Sequence, residues 1–363
     1  MSSPRITIDK KSLLHNYDFL TNANFPSKVI PVLKANAYGH GLMEVFDILL
    51  EHGVRCFAVA RVEEAINIRE YSKLGDIVVL QGVYSKEDII WCSENNVQVV
   101  IHNPFQVEII GDLNLEVSID VWLKLNVGMN RLGVSSESFF NLYRSVEIQG
   151  NINIIGLISH FSDSEKGGAG DAKEQYRVFE AIKNSLPCNL KTSIFNSAAA
   201  LDSPVKVSSS EYSYIRAGLS LYGISPFNCG QYQSQLRTVM SLQAPIIAIR
   251  ELQAGEKVGY NGTWKAKENS CIATVSIGYG DGYPRCMGHD GHVLVGGRLC
   301  KIIGLICMDM LMIDLGLNHE AQVGDFVTIW GDGLDISTVS NISGQSVYEL
   351  LSQLTARVQR IVV

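Results

Sequence analysis

Short apolar runs dense in valine and isoleucine recur along most of this chain, each followed by a stretch whose apolar positions fall at helical spacing. After an alternating segment at 5–9 and a helical pattern at 11–20 (Leu13, Leu14, Tyr17, Leu20), the runs lie at 28–33, 56–60, 77–81, 97–101, 118–125, 152–159, 190–195 and 212–215. Amphipathic segments at 42–51, 62–71, 86–94, 138–146 and 172–185 separate them. Parallel strands buried on both faces read in this way. The rhythm predicts an α/β chain built as a (β/α)8 TIM-type barrel, with an open doubly wound sheet as the alternative.

From about residue 236 the pattern changes. Runs at 239–250, 271–277, 292–295, 298–312 and 326–330 read as strands with glycine and aspartate turns, and a helix at 347–358 precedes a last strand at 360–363. The expected organisation is a barrel over 10–230 and a mostly β C-terminal domain over 231–363, joined through 226–234 and completed by the N-terminal strand 1–9.

Polar residues that interrupt this pattern cluster at the carboxyl ends of the barrel strands, where barrel enzymes keep their chemistry. The run at 29–33 drives into Lys34, followed by Tyr38, Gly39 and Gly41. A lysine ending a buried strand is either exposed or has a lowered pKa, which frees an amine able to form a Schiff base. Arg131, His160, Asn196, Ser197, Arg216, Gly218 and Leu219 occupy corresponding positions after the later strands. Separately, Arg131 reads as a surface ion pair, His160 as a core histidine and Asn196-Ser197 as a plain N-cap. Together they describe one face. Barrels often bind phosphate between their last two loops, so a phosphorylated aldehyde on Lys34, pyridoxal phosphate, accounts for both ends of the set. An arginine only donates, so Arg216 beside the ring nitrogen would keep it unprotonated and favour a limited proton transfer at Cα.

Composition narrows the classes. A chain of 363 residues with 46% hydrophobic content can bury a large core, and its net charge of −7 argues against nucleic acid or anionic membrane as main partner. No apolar run of about 18 residues suggests a transmembrane helix and the first residues lack a signal-peptide core, so a cytoplasmic protein is expected. The 8 cysteines form no C-x-x-C pair and read mostly as reduced, buried thiols, while the 8 histidines show no H-x-x-x-H spacing that would support a metal.

With these residues in order, the chain resembles the alanine racemases, bacterial fold-type III pyridoxal phosphate enzymes. The resemblance rests on Lys34-Ala-Asn-Ala-Tyr38-Gly-His-Gly41, residues 128–133, Ser159-His160-Phe161, Asn196-Ser197-Ala198, residues 216–223, Gly259-Tyr260, Met308-Asp309 and Tyr348, and covers nearly the whole chain. It implies a homodimer that interconverts L- and D-alanine and supplies D-alanine for peptidoglycan. Lys34 would carry the cofactor and act as one base, and Tyr260 from the other subunit as the opposite base, within a buried Tyr260, His160 and Arg216 chain. Tyr38, Ser197, Gly218, Leu219 and Tyr348 would contact phosphate. Arg131 would face the substrate carboxylate and cofactor oxygen, Met308 would bind substrate from the partner subunit, and Lys124 matches a lysine that some members carbamylate. Asn196, Tyr279 and Asp309 would support the site.

The chain departs from the family pattern at Asn126-Val127, where Asp-Thr is common. It departs again at 162–165, where Ala-x-Ala-Asp is usual, and at Asn261, where glycine is usual and a positive φ suits asparagine best. Three rival readings follow: a racemase acting on serine or lysine, a fold-type III amino acid decarboxylase, and a non-catalytic cofactor carrier. Cys307 and Asp309 resemble a decarboxylase pair superficially, but Arg216 and Tyr260 argue against it, and a carrier leaves the second domain unexplained.

Overall fold

The computed structural model describes residues 3–164, 171–187, 189–203, 205, 210–227 and 231–363. The chain divides into two compact units, one of Lys11–Ala37 and Leu42–Arg237, the other of Met1–Lys10, Tyr38–Gly41 and Thr238–Val363. The first strand, β1 (Arg5–Ile8), belongs to the latter.

Eight strands build the first unit: β2 (Lys28–Pro31), β3 (Cys56–Val59), β4 (Asp76–Val79), β5 (Val97–Ile101), β6 (Ile119–Lys124), β7 (Ile152–Ile158), β8 (Lys191–Ser193) and β9 (Tyr214–Ala217). Strands β3 to β8 pair in sequence order, all parallel, and β2 pairs with β9. Parallel bridges Val32 to Ala58 and Thr192 to Ser213 join the two groups, so the ring closes as the TIM-type barrel that the rhythm predicts. Every residue of β5 is buried, as a strand covered on both faces must be. Helices Leu42–Glu51, Val62–Tyr71 and Lys86–Glu94 lie where their periodicity places them. Helix Pro104–Gly111, which the periodicity does not reveal, opens with proline at its first turn.

The second unit is an antiparallel ring. Its strands are β10 (Met240–Leu252), β11 (Lys257–Val258), β12 (Trp264–Lys265), β13 (Ser270–Val275), β14 (His292–Val295), β15 (Arg298–Ile303), β16 (Leu311–Asp314), β17 (Phe326–Trp330) and β18 (Gln359–Val362). The order β13-β16-β15-β14-β17-β10 returns to β13 through the far half of β10, and β1 and β18 extend it beyond β10. Closure removes sheet edges, and it buries Leu242, Val293, Ile302, Ile313, Val327 and Ile329 inside.

Two expectations are corrected here. The run at 298–312 is two strands, because Gly304 adopts a φ of 68° and Cys307 N–H turns back to the Met310 carbonyl at 2.9 Å. The helix expected over 347–358 covers only Val347–Ser352, since Thr355 N–H donates to the Asp281 carbonyl at 3.1 Å and draws the chain out of the spiral. A further helix, Ile336–Ser343, begins where Asp335 accepts from Ser337 N–H at 2.8 Å. Among the described residues Cys56, Cys92, Cys271, Cys286, Cys300 and Cys307 are free thiols. Cys188, Cys229 and residues 228–230 of the expected linker lie outside the described residues.

Barrel packing is tight around Trp122, whose indole donates to Gln98 Oε1 at 2.9 Å and lies against Gly156 on the next strand. A Cβ at Gly156 would fall 2.5 Å from Trp122 Cε3 and 2.8 Å from the Lys191 carbonyl oxygen. Gly156→Ala is therefore expected to destabilise the protein by about 1–3 kcal/mol through overpacking, seen as a lower urea midpoint at unchanged m-value.

Candidate active site

Four cations and a histidine gather at the carboxyl ends of the barrel strands. Lys34 stands just beyond β2, Lys124 ends β6, Arg131 lies in the loop that follows, His160 comes just after β7, and Arg216 lies within β9. The cations act on one another's charge and on His160, which brings together residues far apart in sequence.

Arg216 is only 6% exposed. Its guanidinium donates to Ser193 Oγ at 2.5 Å, to the Ser159 carbonyl at 2.6 Å and to His160 Nδ1 at 3.0 Å. These acceptors come from β8 and from the turn after β7, so the arginine pins neighbouring strand ends. No carboxylate takes part, and burial, followed by repulsion from Arg131, lowers its pKa to about 10.

The other groups respond to the same crowding. Burial, then Arg216, Arg131 and Lys34, brings Lys124 down to about 7. Burial, then Arg131 and Arg216, lowers Lys34, and Glu64 opposes the shift. His160 is held well below the usual histidine range, first by burial and then by Arg216, Lys124, Arg131 and Lys34. A neutral His160 whose Nδ1 accepts from Arg216 carries its proton on Nε2.

Lys34 opens a left-handed turn. Ala35, Asn36, Ala37 and Tyr38 have φ of 54°, 55°, 53° and 52°, a conformation costing roughly 1–2 kcal/mol per residue with a Cβ. Hydrogen bonds hold it: Ala35 N–H donates to Glu64 Oε1 at 2.6 Å, Ala37 N–H to the Leu33 carbonyl at 2.8 Å, and Asn36 Oδ1 accepts from Leu42 N–H at 2.7 Å. Within the second unit, the Tyr38 ring lies 6.1 Å from that of Tyr348, and Gly39 (φ 77°) leaves room for the Leu351 carbonyl that any Cβ would strike.

The last two barrel loops are tied together. Ser197 Oγ accepts from Gly218 N–H at 2.9 Å, beside the turn Leu219–Tyr222, where the buried Ser220 hydroxyl has no hydrogen-bond partner among the described residues. Asn196 does serve as an N-cap, accepting from Ala199 N–H at 3.0 Å, and it also accepts from Ser164 Oγ at 2.9 Å. Two departures from the family pattern thus have local roles. Asn126 Oδ1 accepts from Gly128 N–H at 3.1 Å and Asn130 N–H at 3.0 Å, which shapes the loop bearing Arg131. Ser162 Oγ accepts from Gln175 Nε2 at 2.6 Å, while Glu165 lies outside the described residues.

On the second unit, Tyr260 is 67% exposed, in a turn where Asn261 has a φ of 61°, the positive value that suits asparagine. Tyr260 and Met308 line an open groove of about 530 Å³ with Arg250, Lys257, Cys307 and Asp309. Asp309 accepts from Arg357 at 2.7 Å, and Tyr279 has the Arg285 guanidinium 6.0 Å from its ring centre.

Sequence reasoning passed over Ser193, Glu64 and His102. His102, one residue beyond β5, is buried with Nε2 2.7 Å from the Tyr84 hydroxyl, and burial lowers its pKa. Its place at a strand end was the available signal.

Comparison with known proteins agrees with this geometry. The family model for the alanine racemase N-terminal domain matches residues 8–226, and that for the C-terminal domain matches residues 239–362. The chain is 37% identical to an alanine racemase of Mannheimia succiniciproducens, over 99% of this chain and 98% of that protein. Its fold superposes on the biosynthetic alanine racemase of Pseudomonas aeruginosa with a TM-score of 0.90 and 35% identity, covering 100% of both chains. It superposes on an alanine racemase of Bartonella henselae with covalently bound pyridoxal phosphate at a TM-score of 0.88 and 27% identity, again over 100% of both.

Between about 7 and the ordinary 10.5 the unfolded chain holds a proton on Lys124 that the folded chain has lost, so stability rises with pH across that window and is lost as pH falls through 7. Urea midpoints of cofactor-free protein from pH 7 to 9 are expected to rise with a Lys124 contribution on the order of 1 kcal/mol per pH unit, which Lys124→Met removes.

Proposed function

This chain belongs to the alanine racemase family, and we propose that it interconverts L- and D-alanine by passing the Cα proton between two opposed bases, Lys34 and Tyr260 of the partner subunit. The cofactor we assign is pyridoxal phosphate on Lys34. When bound, it supplies an electron sink that makes the Cα proton of an attached amino acid acidic.

The observation that carries this reading is the crowding of Lys34, Lys124, Arg131 and Arg216, with Glu64 the one acid among the described residues that acts on Lys34. Like charges so close ask for anions, and a phosphate with a substrate carboxylate supplies them. The donor set fits: the Ser197 hydroxyl, which accepts from Gly218 N–H and keeps its own proton to donate, and the Leu219 N–H suit the phosphate. Tyr38 and Tyr348 add phenols, and burial raises Tyr38, keeping it protonated as a donor.

Each remaining residue then has a defined task. Arg216, which donates but cannot accept, would hold the cofactor's ring nitrogen unprotonated, a state that would limit charge delocalisation and favour return of the proton to Cα. Arg131 receives the substrate carboxylate, with Lys124 beside it and the backbone of Met308 of the partner subunit opposite. Lys34, whose proton affinity burial and the two arginines lower, takes the proton of D-alanine. Tyr260 of the partner subunit takes that of L-alanine. His160 offers its Nε2 proton to the tyrosine oxygen once that oxygen is charged, and Arg216 fixes the tautomer that allows it. Asn196, Tyr279 and Asp309 hold the surrounding loops. The working form is a homodimer, and in the cytoplasm its D-alanine would serve peptidoglycan.

Incubation of the purified protein with a panel of L-amino acids, followed by chiral separation, is expected to yield D-alanine. Release of carbon dioxide instead would overturn the assignment in favour of decarboxylation. Lys34→Ala should lose both cofactor colour and activity. Tyr260→Phe should keep the colour but block deuterium exchange at Cα of L-alanine by at least about a hundredfold, the lower range for loss of a general base.

A further inference from the structure

We infer that Glu64 is the positioning residue of Lys34: its two carboxylate oxygens tie the left-handed turn that carries the lysine to the loop after β3. The inference deepens the function proposed above and rests on Lys34 being the working amine.

The geometry is specific to a carboxylate. Glu64 Oε1 accepts from Ala35 N–H at 2.6 Å, while Oε2 accepts from Ala60 N–H at 2.7 Å and Arg61 N–H at 3.1 Å. Two separate loops thus present only donors to one side chain. Glutamine offers one oxygen and would turn an NH2 towards the other loop's donors, and aspartate is one methylene shorter. Position is equally specific. Ala35 is the residue after Lys34 and the first of four consecutive residues with left-handed φ, each of which local sterics disfavour. Asn36 and Ala37 are held by residues close in sequence, through Leu42 N–H and the Leu33 carbonyl, whereas Ala35 is held by a side chain from a different strand-loop unit.

Glu64 also acts on the lysine through space. The charged and titratable groups that act on Lys34 or respond to it are Arg131, Arg216, Lys124, His160 and Glu64. Among the described residues Glu64 is the one acid named, and it opposes the lowering produced by burial and the two arginines. One carboxylate therefore fixes where the amine points and limits how far its proton affinity falls. A helix-capping glutamate with a purely structural role would affect neither.

Glu64→Gln and Glu64→Ala separate these roles in full-length protein freed of cofactor. Lys34 is titrated by pH-dependent acylation of its amine, read by mass spectrometry, and exchange of the Ala35 amide is followed by NMR. Both variants are expected to shift Lys34 acylation to lower pH. Exchange at Ala35 should speed up at least about tenfold, the effect of losing one charge-assisted hydrogen bond. With cofactor restored, kcat for alanine should fall more than KM rises. Unchanged Lys34 titration in both variants overturns the inference, including when overall stability drops, because a cap alone would do that. The titration uses neither cofactor nor alanine. A wild-type protein without racemase activity would therefore count against the proposed function while leaving the Glu64 result to stand or fall by itself.

Discussion

A buried guanidinium held, among the described residues, by neutral acceptors alone is the constraint on which the barrel mouth depends. Removing Arg216 from water is costly unless its donors are satisfied, and here the acceptors are a serine hydroxyl, a backbone carbonyl and a histidine nitrogen. Those acceptors lie on or just beyond neighbouring strands, so their satisfaction fixes the relative placing of β7, β8 and β9 at the end where chemistry occurs. Because the charge is satisfied by neutral dipoles, its field is not cancelled. It reaches Lys34, Lys124 and His160 and favours their neutral forms.

An uncancelled positive field and a strained turn are both unfavourable in the isolated fold, and both sit at one place. The left-handed run after Lys34 costs several kcal/mol by local sterics, and the surrounding hydrogen bonds offset it. Strain held by the rest of the fold directs one amine, while the clustered cations prepare the space around it for anions. A closed parallel barrel can support this arrangement because eight strand ends converge on one rim and the hydrophobic ring behind them holds the backbone rigid.

The second unit uses a different solution to a different need. Its antiparallel ring closes through the far half of β10 and leaves the turn at Tyr260 projecting at a groove shared with Met308. Asp281 accepts from Gly278 N–H at 2.9 Å and pairs with Arg357 at 3.3 Å, and Arg357 in turn holds Asp309. The segments bearing Tyr279 and Met308 are thereby fastened to each other, Tyr279 N–H donating to the Cys307 carbonyl at 3.1 Å. An exposed phenol on a projecting turn suits delivery to another surface, as the proposed dimer requires.

The sequence by itself determined the repeating elements and the chemical identity of the site. Helices such as Leu42–Glu51 and strands such as His292–Val295 follow from local periodicity, because burial of one face depends on spacing alone. Lys34, His160 and Arg216 were legible as polar residues breaking apolar runs at strand ends. Tertiary structure decided what spacing cannot encode. Nothing in Ala35-Asn-Ala-Tyr38 favours a left-handed run except the single asparagine; it exists because Glu64, Leu42 and Leu33 supply partners. Helix Val347–Ser352 stops early for the same kind of reason, a backbone bond to Asp281 far away in sequence. The neutral histidine, the lowered lysines and the tying role of Ser193 all depend on burial and on charges meeting across strands. Those are properties of distance in space, which the order of residues carries only once the barrel has closed.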